Sequence, residues 1–92
     1  MSETVHVTAD HIARGERNHP CRCAVALAIQ EQIGADLVMV DMVSAAILID
    51  GVEFETRLPA AAGHFVDAFD HRHPVEPFEF TVDWQPGDGA LP

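Results

Sequence analysis

The sequence predicts an α+β domain: a small, mostly antiparallel sheet with helices packed on one face, in the order β-α-α-β-β-β-α-β. Three observations carry that reading. Asp50-Gly51 lies between two apolar runs, the mark of a two-residue hairpin whose turn positions both need positive φ. Phe78, Phe80, Val82 and Trp84 alternate with Glu79, Thr81 and Asp83, the period of a half-buried strand. Ala62, Phe65, Val66 and Phe69 recur at i, i+3, i+4 and i+7, one stripe of a helix.

The remaining elements follow in order. Val5 and Val7 alternate with Thr4, His6 and Thr8 as a short first strand. Thr8 is placed to cap a short helix over Ala9 to Arg14, with Gly15 as its left-handed stop. A second helix is expected from Cys21 to Ile33, with Pro20 near its first turn and Gly34 at its end. Cys21, Val25, Ile29 and Ile33 form its stripe, and Ala24, Ala26, Leu27 and Ala28 make it apolar nearly all round. Leu37 to Met42 is apolar on both faces apart from Asp41 and reads as a central strand. Ala45 to Ile49 is the next. The hairpin register then sets Ile49 opposite Val52 and Ile47 opposite Phe54, with Glu53, Glu55 and Arg57 on the other face. Leu58-Pro59 opens the third helix, and Pro74 and Pro77 bracket its exit. Residues 1–84 are expected to form the single domain and 85–92 a flexible tail.

Composition narrows the function. The 92 residues hold 15 Asp and Glu against 5 Arg and no Lys, a formal net charge of -10. Nucleic-acid and anionic-membrane binding both need clustered cations, which five scattered Arg do not supply. The natural partner is a protein with a basic surface. No apolar run reaches the roughly 20 residues of a membrane span. Met1 to Thr4 lack a basic or apolar leader, and two Cys make no disulfide framework, so a cytoplasmic setting is expected.

Several segments are similar in order and wording to a family of short uncharacterised proteins encoded by high-GC actinobacteria and their phages. The start Val7-Thr8-Ala9-Asp10-His11-Ile12-Ala13-Arg14-Gly15 matches the family's Val-Thr-x-x-x-Ile-x-x-Gly. Cys23-Ala24-Val25-Ala26-Leu27-Ala28 stands where the family has Cys-Pro-Val-Ala-Leu-Ala, with Ala24 in place of the Pro. Leu58-Pro59, Phe65-Val66-Asp67-Ala68-Phe69-Asp70 and Pro74-Val75-Glu76-Pro77-Phe78-Glu79-Phe80 complete the likeness. The resemblance implies a phage or prophage accessory protein and implies no activity.

Four groups of residues invite chemistry. His19, Cys21 and Cys23 offer soft ligands, with His11, His64, His71 or His73 to complete a zinc site. Both Cys on one helix would project about 200° apart, so the expectation is two small hydrophobes and neither metal nor cofactor. Asp70-His71-Arg72-His73 is a proton-transfer or metal candidate, but cations at a helix C-terminus also simply match its dipole, which is the expected role. Ser2 and Ser44 are the only serines and neither sits in a nucleophile elbow; no glycine-rich phosphate loop exists, so no enzyme is expected. The last group is Glu53 and Glu55 on one strand face with Glu79 and Asp83 on another. If these strands are neighbours, four carboxylates line one surface fit for a basic groove that otherwise takes nucleic acid. The alternative function is a structural or assembly protein, a minor virion component or homo-oligomer, using Leu48, Trp84 or the tail around Leu91.

Overall fold

The computed structural model describes residues 2–87. The elements are β1 (Ser2–Val7), α1 (Ala9–Arg14), α2 (Ala24–Ile33), β2 (Leu37–Val40), β3 (Ser44–Ile49), β4 (Val52–Arg57), α3 (Ala60–Asp70), β5 (Phe78–Asp83) and β6 (Gln85–Pro86). This is the expected α+β fold in the expected order, with the short β6 added. All strand pairs are antiparallel, and they divide into a two-stranded sheet β1-β5 and a four-stranded sheet β2-β3-β4-β6.

Local chemistry accounts for the elements. Asp50 and Gly51 take φ of 49° and 79°, and the hairpin register sets Ile49 opposite Val52 and Ile47 opposite Phe54. The apolar stripe of α3 buries Ala62, Phe65, Val66 and Phe69. Phe65 stacks on Phe78 with ring centroids 4.6 Å apart, tying α3 to β5. Helix α2 buries Ala24, Val25, Ala26, Ala28 and Ile29 and leaves Gln30, Glu31 and Gln32 in water. Its small residues let it pack on both β1 and β2, so one helix bridges the two sheets.

Five expectations need correction. Helix α2 begins at Ala24, not Cys21: Cys23 is its N-cap, and residues 20–22 turn back so that the Cys23 N–H donates to the His19 carbonyl at 3.0 Å. Gly15 caps α1 in an extended conformation (φ -65°, ψ 147°), not a left-handed one. It is small for another reason: a Cβ there would lie 2.7 Å from the Ala24 nitrogen and 2.9 Å from the Phe69 ring. The second strand ends at Val40 and forms the edge of its sheet rather than the centre. Asp41 ends it, its carboxylate accepting the N–H groups of Val43 and Ser44, each at 2.7 Å.

The fourth and fifth corrections lie at the C-terminal end. Gln85 and Pro86 are not tail: they pair with Glu55 and Phe54, and the Gly87 N–H donates to the Glu53 carbonyl at 2.9 Å. Trp84, offered as an interface residue, is 2% exposed and belongs to the core. The chain thus leaves one sheet at Asp83, buries Trp84, and joins the other sheet at Gln85. Residues 88–92, including Leu91, lie outside the described residues.

Candidate functional site

The crossing at Trp84 decides where the acidic residues stand. β5 and β6 are one run of chain, so β4 and β5 start as neighbours and then separate. At the fork a hydroxyl replaces a direct main-chain bond. The Thr56 Oγ1–H donates to the Arg57 carbonyl at 3.3 Å, and the same oxygen accepts the Asp83 N–H at 3.3 Å. Beyond this point the two strands enclose a cleft of about 820 Å³. Its floor is apolar, from Val43, Leu58, Pro59 and Val82, and its rims carry Glu55, Arg57 and Asp83.

Of the four predicted carboxylates, the fold therefore brings two to one site. Glu55 lies opposite Gln85, and continuing that register puts Arg57 opposite Asp83, so Glu55, Arg57, Asp83 and Gln85 share the outer face. Glu53 lies one step further along β4, against Gly87. Glu79 stands four residues from Asp83, roughly 13 Å along the strand, and pairs with His6 at 3.0 Å. A single four-carboxylate surface does not form, because β5 pairs with β1 rather than alongside β4.

The cysteine group separates as well. Cys23 is buried at the start of α2, and burial pushes its thiol up, away from the thiolate that metal binding or nucleophilic attack requires. Cys21 is half-buried in the preceding turn. Among the described residues no group of three or more His, Cys, Asp and Glu is placed to hold a metal ion. The Asp70–His73 segment closes α3. The His71 Nδ1–H donates to the Asp67 carbonyl at 2.8 Å, and that carbonyl with the Asp67 carboxylate holds the imidazole above its ordinary range. Arg72 takes φ of 62°, letting the His73 N–H reach the Ala68 carbonyl at 2.9 Å. The Asp70 carboxylate accepts the Asn18 N–H at 2.9 Å, which fastens the α1–α2 connection to this helix end.

One polar group was not legible as a functional unit in the sequence. Buried His11 is the N3 residue of a capping box: its Nδ1 accepts the Thr8 N–H at 2.9 Å, while Thr8 Oγ1 accepts the His11 N–H at 3.3 Å. With Nδ1 an acceptor, Nε2 carries the proton and donates to the Glu31 carboxylate at 3.0 Å. Arg14 reaches the same carboxylate at 2.6 Å and also Asp10 at 2.8 Å. Arg14 and His11 together hold the Glu31 carboxyl below its usual range. A histidine seldom fills the Glu position of a capping box, so the only sequence cue was the three-residue spacing from Thr8.

No family model, curated protein or solved structure matches the chain. Among the described residues no helix is long and apolar enough to cross a membrane.

Proposed function

We propose that the chain is a non-enzymatic, acidic protein-binding module that captures a basic surface of another protein. A nucleic-acid-binding surface is the favoured target, since carboxylates there stand in for phosphates. The observation that carries this reading is the cleft between β4 and β5, an apolar floor with Glu55 and Asp83 on its rims beside one cation, Arg57, in a chain of net charge -10. Within the floor, Val43 is 55% exposed. A role as a phage or prophage accessory protein, as the sequence resemblance implies, fits a small non-catalytic binder acting in the cytoplasm.

The test is a titration of the protein with an unstructured lysine-rich peptide, at low and at high salt. The wild type is expected to bind, more weakly as salt rises. The double variant E55Q/D83N is expected to lose roughly tenfold in affinity while keeping its fold by circular dichroism. Absence of binding at low salt, or equal affinity in the double variant, overturns the reading.

A further inference from the structure

We propose that the cleft between β4 and β5 is a strand-addition site, which takes an extended segment of a partner protein with alternating aliphatic and basic residues. This deepens the acidic-binder reading and rests on it for the partner's charge.

Hydrogen bonds fix which way each strand's main chain points. On β1, the His6 N–H donates to the Gln32 side-chain oxygen at 2.9 Å, and the Gln32 amide donates back to the His6 carbonyl at 2.6 Å. His6 therefore bonds outward, away from β5, and its register partner Glu79 is a non-bonded pair. Alternation then makes Phe78, Phe80 and Val82 the residues of β5 that bond β1, and turns the N–H and C=O of Glu79, Thr81 and Asp83 the other way. The Asp83 N–H confirms the direction, since it reaches across to Thr56 Oγ1.

The same alternation holds across the gap. The Leu58 N–H donates to the Val43 carbonyl at 2.8 Å and the Gly87 N–H to the Glu53 carbonyl. Even-numbered residues of β4 thus bond β3, and odd-numbered ones face β6 or, at Arg57, the cleft. The outward edge of β5 faces this gap, and among the described residues no main-chain partner reaches Thr81 on that side. The Gln32 amide covers the equivalent position on the opposite edge of this sheet, at His6. Thr56 covers the β5 edge at Asp83, but among the described residues Thr81 has no such cover, which leaves it a template for another strand.

Side chains set the occupant's pattern. On β5, Phe80 and Val82 face the core while Glu79, Thr81 and Asp83 face solvent. A strand laid beside it alternates in the same way. Its inward side chains meet Val82, Leu58, Pro59 and Val43, and its outward ones meet Asp83 and Glu55, with Arg57 as the one cation among them. Aliphatic residues fit the first set and Lys or Arg the second.

The experiment uses two peptides against the full chain. One alternates valine and lysine. The other is identical but N-methylated at alternate main-chain amides, which deletes strand donors and keeps the charge. Binding is read by calorimetry, and hydrogen exchange of the Thr81 amide is read by NMR. The proposal expects the first peptide to bind and to slow Thr81 exchange, and the second to bind at least about tenfold more weakly. Equal, salt-sensitive binding of both peptides, or binding without Thr81 protection, overturns strand addition and leaves the acidic-binder reading standing. Capture of the unstructured lysine-rich peptide without capture of the alternating one also overturns strand addition alone. Failure of every basic peptide overturns both.

Discussion

Gly63→Ala separates two opposing effects, and the structure decides between them. Gly63 lies inside α3, where replacing Gly by Ala ordinarily stabilises a helix by about 1 kcal/mol. Here the added methyl would fall inside the 3.0 Å that real Cβ atoms essentially never breach, against the main-chain carbonyl oxygen of Met42. That neighbour cannot rotate away as a side-chain tip would. Asp41 pins the same segment through its bonds to Val43 and Ser44, and the Leu58 N–H holds the Val43 carbonyl at 2.8 Å. Moving it, or tilting α3, costs about 1–3 kcal/mol as overpacking, and more where backbone must shift. The clash outweighs the propensity gain, so a net loss of about 1–2 kcal/mol is expected. For a domain of this size that is a fall in Tm of roughly 5–15 °C. Thermal and urea unfolding of G63A beside wild type measure it. A variant as stable as wild type, or more so, would refute the close approach of α3 to the Asp41–Val43 turn.

Three further outcomes follow from the same physical reasoning. Thr56→Val keeps the shape but leaves the Asp83 N–H and Arg57 carbonyl without their shared hydroxyl; a loss of about 1 kcal/mol is expected, and T56S should recover most of it in urea unfolding. Trp84→Ala empties the point where the sheets meet and should cost about 3–5 kcal/mol, enough that cooperative unfolding near room temperature is the readout. His71 has its folded-state pKa raised by the Asp67 carbonyl, so its contribution is present below the ordinary value of 6.5 and fades as pH rises through the folded value. The stability gap between wild type and H71Q should therefore be widest in mild acid and close toward alkaline pH; a gap that widens with pH would contradict the contact.

Local signals in the chain were strong wherever one residue type answers one geometric need. Asp50-Gly51 forced a turn and fixed a register, and the β5 alternation and the α3 stripe each admitted one element. What escaped was non-local. Cys21 fits the α2 stripe by spacing, yet the His19 carbonyl draws the preceding residues into a turn, which periodicity does not register. Gln85-Pro86 carries no strand signal of its own and is ordered only because Glu53 and Glu55 offer β4's open edge. The placement of the four carboxylates failed for a related reason. Which face a side chain takes follows from period two, but which strand lies beside it is set by the whole fold. Pairing β5 with β1 sent Glu79 to His6 and kept Asp83 with Glu55.

The division of the sheet then has a chemical cause. A direct bond from the Asp83 N–H to the Arg57 carbonyl would extend the β4–β6 ladder by one step and draw β5 in behind it. The Thr56 hydroxyl takes both groups instead, satisfying them at a wider spacing than a main-chain bond allows. Satisfying the polar groups at the fork is what lets the strands diverge without an energetic penalty there. Beyond it Val43 stands 55% exposed over the buried Leu58 and Val82, and leaving that apolar surface in water is costly. A strand seated in the gap would cover this surface and pair the Thr81 main chain in the same step. Apolar burial and main-chain pairing act together only for an extended occupant, whereas charge alone would favour any polycation.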